Sequence, residues 1–151
     1  MKIKTSILVL AGLALISLPV RAATPEQEKT FVESYKKALE ANDAKALAGF
    51  LYTEGAQPEQ VEFFKMMMSM NAGAKISSIE LVKPSAEEAA KFNRPMTMPD
   101  GKSYKLSLTP VKQLVIKTES KDANGSSSSS SSVPVAESKG KLVIPVPVPA
   151  K

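Results

Sequence analysis

The chain has 151 residues and a net charge of +5, with 20 Lys and Arg against 15 Asp and Glu, and it contains no His, Cys or Trp. The lack of Cys excludes disulfides and the cysteine-linked lipid anchor of bacterial lipoproteins. The lack of His and Cys removes the commonest general base, the usual nucleophile–base pairs and most zinc sites. The composition therefore predicts no metal and no cofactor, and it favours a protein that is not an enzyme.

The N-terminus has the three-part layout of a secretory signal peptide. Lys2 and Lys4 precede an uncharged apolar run over residues 7–16. This run is shorter than the roughly 20 residues that a transmembrane helix needs. Small residues then precede a predicted cleavage site between Ala22 and Ala23.

Removal of the signal peptide, residues 1–22, leaves the segment 23–151, which has the length of one domain. Three basic residues and no acidic ones leave with the signal, so the net charge falls from +5 to +2. The remaining charges are interspersed, whereas nucleic-acid binding needs a clustered basic face. We therefore expect a periplasmic or secreted single domain that binds no nucleic acid and has no integral membrane segment after cleavage.

The first half of the mature chain begins with a predicted amphipathic helix. Thr24 and Gln27 have the spacing of a capping box at its start. Phe31, Tyr35 and Leu39 then recur every four residues, which places them on one face of the helix. This face is expected to be buried.

Two further helices are predicted before the middle of the chain. Asp43 is a suitable N-cap for a short second helix that carries Leu47 and Phe50. Pro58 opens a third helix, because its missing N–H costs nothing at the first helical position. Apolar residues surround most of the circumference of this helix, and it is expected to end near Asn71.

The second half of the chain changes to patterns typical of strands. Residues 75–83 alternate apolar and polar side chains, as in a half-buried strand, and Ser85 then begins one short helix. Residues 104–118 predict a long strand, in which Pro110 implies an edge position or a bulge. The serine-rich segment 121–132 cannot bury apolar surface and predicts a mobile loop.

Residues 133–148 contain several prolines and predict a closing hairpin at the edge of a sheet. Helices followed by strands indicate an α+β fold, with three N-terminal helices packed on a curved antiparallel sheet. The predicted core consists of Phe31, Tyr35, Leu39, Leu47, Phe50, Val61, Phe64, Met67, Ile79, Leu106, Leu108, Leu114, Ile116 and Ile144.

Residues 31–51 resemble the opening of the nuclear transport factor 2-like superfamily. They combine an aromatic-bearing helix, a break at Asn42-Asp43 and the pair Ala46-Leu47. The resemblance implies a cone-shaped α+β fold whose members bind apolar small molecules, form dimers through the sheet, or act as isomerases and dehydratases. The lack of His excludes the dehydratase type.

The favoured function is that of a non-catalytic binding or interaction module with an apolar pocket, whose partner is a small apolar ligand or an envelope protein. The residues predicted to line this pocket are Phe31, Tyr35, Phe64, Met67 and Leu106. In addition, the strand 104–118 places Val115 between two apolar neighbours, so that its outward side chain needs a cover. A homodimer through the outer face of the sheet would supply that cover.

The alternative is an isomerase-type envelope enzyme that uses Tyr and Asp for proton transfer. The candidate groups are the hydroxyls of Tyr35, Tyr52 and Tyr104 with the carboxylates of Asp43 and Asp100. Helix capping by Asp43, a turn at Asp100 and packing of the tyrosines explain the same residues without catalysis.

The methionines offer a metal as a further alternative. Thioether sulfurs bind Cu(I), and the candidate ligands are Met66, Met67, Met68 and Met70 on the third helix with Met96 and Met98 in a loop. A helix packed on a sheet would bury Met66, Met67 and Met70 as core filler, however, because Met fills irregular gaps well. Since copper sites usually add His or Cys, no metal site is predicted.

Overall fold

The computed structural model of the protein describes residues 22–70, 72–98, 100–122 and 125–150. All of the predicted signal peptide except its last residue, Ala22, lies outside these ranges. The export of the protein and its cleavage site therefore stay predictions.

The described chain contains four helices, all in its first two thirds, and eight strands, six of which follow the last helix. The helices span Pro25–Glu40 (α1), Ala44–Ala48 (α2), Pro58–Ser69 (α3) and Ala86–Phe92 (α4). The strands span Leu51–Tyr52 (β1), Lys75–Val82 (β2), Met96–Thr97 (β3), Ser103–Leu106 (β4), Lys112–Asp122 (β5), Gly125–Ser138 (β6), Lys141–Pro145 (β7) and Pro147–Pro149 (β8). The α+β class is confirmed, but the helices are not all N-terminal, because α4 follows β2.

Local capping explains where the helices begin. Thr24 Oγ1 accepts a hydrogen bond from the Gln27 N–H, and Gln27 Oε1 accepts one from the Thr24 N–H, which completes the predicted capping box. Asp43 Oδ1 accepts from the Ala46 N–H at 2.9 Å and caps α2. The chain before α1 is also fixed, since the Ala23 N–H donates to Glu137 Oε1 at 2.8 Å.

The strands form two sheets rather than one. The larger sheet is curved and has the order β1-β7-β6-β5-β2, and the smaller one has the order β3-β4-β8. All strand pairs are antiparallel except β1 with β7, which run parallel. The prediction of a purely antiparallel sheet is therefore wrong at this one pair, because α3 and β2 intervene between β1 and the final strands.

The predicted long strand over residues 104–118 is in fact two strands in different sheets. Residues 107–111, which include Pro110, separate β4 from β5. Ser107 N–H donates to Val146 at 3.3 Å, whereas Val111 N–H donates to Val135 at 2.9 Å. The chain crosses from one sheet to the other here, since proline cannot continue the hydrogen-bonded ladder.

The prediction of a loop over residues 121–132 is wrong for the described residues. The serine run belongs to β6 and pairs in regular register with β5, so that Ser132 lies opposite Val115 and Ser126 opposite Lys121. Thr118 Oγ1 and Ser129 Oγ are 2.7 Å apart across this pair. Backbone groups supply the pairing, so exposed serines can occupy a strand that a neighbouring strand orders.

The main core lies between α1, α2, α3 and the inner face of the larger sheet. It consists of Phe31, Tyr35, Ala38, Leu39, Leu47, Met68, Ile76, Leu114, Ile116, Val135, Leu142 and Ile144. Seven predicted core residues are confirmed as buried: Phe31, Tyr35, Leu39, Leu47, Leu114, Ile116 and Ile144. Phe50 and Ile79 pack against this core from partly buried positions.

The other predicted core residues are more exposed than expected. Val61, Phe64, Leu106 and Leu108 are half-buried, and Met67 is 41% exposed. Leu106 lies in β4 of the smaller sheet, and Leu108 lies in the crossing between sheets. Met67 is on the wrong face of α3, and the next residue, Met68, is buried instead.

Candidate functional site

An apolar groove opens between α3 and the part of β6 that follows the serine run. Its volume is about 310 Å³. The residues that line it are Tyr35, Leu39, Phe64, Met67, Met68, Met70, Ile116, Ser131, Ser132, Val133, Pro134 and Ile144. Core side chains from α1, β5 and β7 therefore form one wall, and the rim comes from α3 and β6.

The structure brings together three of the five residues predicted to line a pocket. Tyr35, Phe64 and Met67 all line this groove. Phe31 lies in a separate cleft beside Gly140, and Leu106 contributes to neither cavity because β4 belongs to the smaller sheet. Of the two predicted residues on α1, Tyr35 therefore lines the groove and Phe31 does not.

Sequence reasoning missed several residues of the groove. Ser131, Ser132, Val133 and Pro134 were assigned to a loop or to a remote hairpin, although they form one rim. Val133 and Val135 alternate with Pro134 just after the serines, which is the pattern of a strand with one buried face. This pattern was a signal that the strand extends back into the serine run.

The groove carries no charged residue among the described residues that line it. Burial raises the pKa of Tyr35 to about 12, so its hydroxyl stays neutral at physiological pH. The remaining polar atoms are two serine hydroxyls at the rim. Such a surface can bind apolar groups and has little to offer an ion of hard character.

A second, wider cleft of about 730 Å³ lies at the other end of α3 and is more polar. Its lining residues are Gln57, Pro58, Glu59, Gln60, Phe63, Met98, Asp100 and Lys102. Tyr104, which is fully buried, donates to Asp100 Oδ2 at 2.6 Å and accepts from Gln60 Nε2 at 3.0 Å. Asp100 Oδ1 accepts in turn from the Lys102 N–H at 2.9 Å.

This network holds Tyr104 and Asp100 in fixed protonation states. The hydrogen bond lowers the pKa of Asp100 and raises the pKa of Tyr104. Near neutral pH the carboxylate is ionised and the phenol protonated, and neither group has a pKa near the working pH that general acid–base catalysis requires. The pair therefore satisfies a buried hydroxyl rather than preparing a proton transfer.

The remaining candidate acids and phenols are also committed to structural contacts. Asp43 caps α2, and the Tyr52 hydroxyl donates to Glu54 at 2.6 Å on the surface. Tyr35 has no carboxylate beside it in the groove lining. Within the described residues, the Tyr104–Asp100 pair is the one contact between a tyrosine and an aspartate named for the proton-transfer alternative.

Two further features, a cluster of metal ligands and a membrane-spanning helix, are absent from the described residues. No three His, Cys, Asp or Glu side chains of that part of the chain come together in a way that could hold a metal ion. None of the helices in the same ranges is long and apolar enough to cross a bilayer.

Comparison with known proteins adds no relative. No protein-family model, curated protein or solved structure matches the chain. The resemblance to the nuclear transport factor 2-like superfamily therefore stays a hypothesis based on residues 31–51.

Proposed function

We propose that this protein is an exported, non-catalytic binding module that takes a small apolar ligand into the groove between α3 and β6. The observation that carries the proposal is the lining of that groove, which combines buried aliphatic and aromatic side chains with methionines and no charge. Exposed apolar surface of this kind is costly in water and is typical of interaction sites.

The volume and chemistry of the groove limit its ligand. At about 310 Å³ it lies at the lower end of the range of small-molecule pockets. An alkyl chain or one small ring system would fill it. Met67 and Met70 at the rim are long and flexible, so they can adapt to ligands of different shape.

The signal-peptide pattern supports the proposal that the ligand is met outside the cytoplasm, and sequencing of the N-terminus of the mature protein would show the cleavage. Helices α1–α3 before the main strands support membership of the nuclear transport factor 2-like superfamily.

A homodimer through the outer face of the sheet is a weaker proposal. Val115, the residue that prompted it, is half-buried and lies in register with Glu80 and Ser132, which are polar. Sedimentation would show whether the protein is a dimer.

The groove can be tested with Nile red, a neutral dye whose fluorescence rises in an apolar site. We expect saturable binding that decan-1-ol displaces, because both molecules are uncharged and apolar. Met67→Glu should weaken dye binding at least tenfold, since it places a carboxylate in the groove lining.

The matched control is Met66→Glu on the same helix. Met66 is 58% exposed, compared with 41% for Met67, and it does not line the groove. Dye binding by Met66→Glu should equal that of the unmodified protein. Equal losses in both variants, or no saturable binding by the unmodified protein, would contradict the proposed function.

A further inference from the structure

Three methionines are exposed on the last turns of α3. Met66 is 58% exposed, Met67 41% and Met70 77%. The expectation that these side chains fill the core is therefore wrong, and this removes one of the two arguments against a metal site on this helix, the other being the lack of His and Cys. Met68 alone of the methionines on α3 is buried.

Helical spacing makes Met70 a neighbour of both of the other exposed methionines. Met66 and Met70 are four residues apart, and Met67 and Met70 are three apart, so each pair occupies neighbouring positions on the helix surface. Met70 is thus adjacent to both of the others. Each side chain has three rotatable bonds beyond Cα, which allows the three sulfurs to converge on one point.

The electrostatics of this helix end favour a cation. The C-terminal end of a helix carries partial negative charge, which a basic side chain in the last turn usually offsets. Lys37, Lys45 and Lys91 occupy that position in α1, α2 and α4. The last turn of α3 has no basic residue and carries the methionines instead.

We propose that Met66, Met67 and Met70 form a surface site for Cu(I). Thioether sulfur is a soft ligand that selects Cu(I) over the harder divalent cations, and the site needs no His or Cys for this preference. The proposal does not rest on the proposed function, because Met66 lies outside the groove. Cu(I) binds at this site without change of oxidation state.

Substitution by leucine distinguishes the contribution of the sulfur atoms from that of the apolar surface. Leucine is close to methionine in volume and hydrophobicity, so the replacement costs little stability and preserves the apolar character of the rim. The triple variant Met66→Leu, Met67→Leu, Met70→Leu should therefore fold, and its circular dichroism spectrum should match that of the unmodified protein. It lacks only the thioethers on which Cu(I) binding depends.

The experiment is an anaerobic competition for Cu(I) between the purified protein and the chromophoric chelator bicinchoninate, with ascorbate present. The unmodified protein should remove one equivalent of Cu(I) from the chelator, and the triple leucine variant should remove none. The control variant Met96→Leu, Met98→Leu retains the α3 methionines and should compete like the unmodified protein.

A second measurement identifies the ligands directly. Ag(I) is a soft monovalent ion, and its addition should shift the NMR signals of three methionine methyl groups, those missing from the triple variant. Competition that survives in the triple variant, or an unmodified protein that takes no Cu(I), would overturn the proposal. An unmodified protein that does not bind Nile red would count against the proposed function of the groove and would leave the copper result unaffected.

Discussion

The two ends of α3 border cavities of opposite character. At the N-terminal end, Gln60 and Asp100 both bond to the Tyr104 hydroxyl, and Gln60 Oε1 is left buried without a hydrogen-bond partner in the described chain. At the C-terminal end, the groove exposes apolar side chains that nothing in the described chain covers. The difference teaches that the two cavities suit ligands of different chemistry, because the larger cleft offers polar groups and the smaller groove offers apolar surface.

The largest effect is expected at the floor of the apolar groove. Ile116→Ala removes a buried side chain that is 2% exposed and should lower the free energy of unfolding by about 2–5 kcal/mol. Urea denaturation followed by circular dichroism measures this. Val111→Ala is the control, because Val111 is 44% exposed and should cost no more than about 0.5 kcal/mol. Similar losses in both variants would show that the floor of the groove is not part of the core.

A smaller and pH-dependent effect is expected at the polar end. Tyr104→Phe leaves Asp100 without the hydrogen bond that lowers its pKa below the ordinary value of 3.8. A carboxyl whose pKa is lower in the folded state stabilises the protein above the unfolded pKa, and this contribution is lost as the pH falls through the folded pKa. The stability difference between the unmodified protein and Tyr104→Phe should therefore be larger at pH 7 than at pH 2.

Denaturation series at several pH values provide the measurement for this prediction. Asp100→Asn is the companion variant, since it removes the titrating carboxyl but keeps an acceptor for the Tyr104 hydroxyl. Its own pH profile should be flatter than that of the unmodified protein in the same acidic range. A stability difference for Tyr104→Phe that stays constant from pH 7 to pH 2 would show that the hydrogen bond is not coupled to Asp100.

The smallest expected effect compares two adjacent aromatic residues. Phe64 lines the apolar groove and Phe63 lines the polar cleft, and both are half-buried. Phe64→Leu should weaken Nile red binding by up to about tenfold, which corresponds to about 1.4 kcal/mol. Phe63→Leu should leave the dissociation constant unchanged. If Phe63→Leu has the greater effect, the dye binds at the polar end and the assignment of the two cavities must be reversed.

Residue patterns of short range were sufficient for α1 and for the helix starts. Phe31, Tyr35 and Leu39 repeat at the helical period beside polar residues, so only one face could be buried. In α3 the apolar residues surround the helix, and periodicity could not choose between Met67 and Met68. Burial of Met68 in the core cluster makes that choice, and this cluster joins residues from distant parts of the chain.

The strands depended still more on distant contacts. Nothing in a run of identical serines indicates a strand, because the order of β6 comes from pairing with β5. Likewise, Pro110 signalled an interruption of the strand but not that the chain would cross between two sheets there. The groove rim at Val133 was missed for the same reason, and with it the four residues, 131–134, that β6 contributes to the candidate site.

The contact between Ala23 and Glu137 would link folding to the predicted cleavage of the chain. The Ala23 nitrogen that donates to Glu137 at 2.8 Å is a peptide N–H in the uncleaved chain. Cleavage at the predicted site after Ala22 would turn this nitrogen into a charged α-ammonium group, and the hydrogen bond would become an ion pair between the new chain end and β6. Cleavage would then hold α1 to the sheet more firmly than before, so the mature domain would be more stable than the same domain in the uncleaved chain.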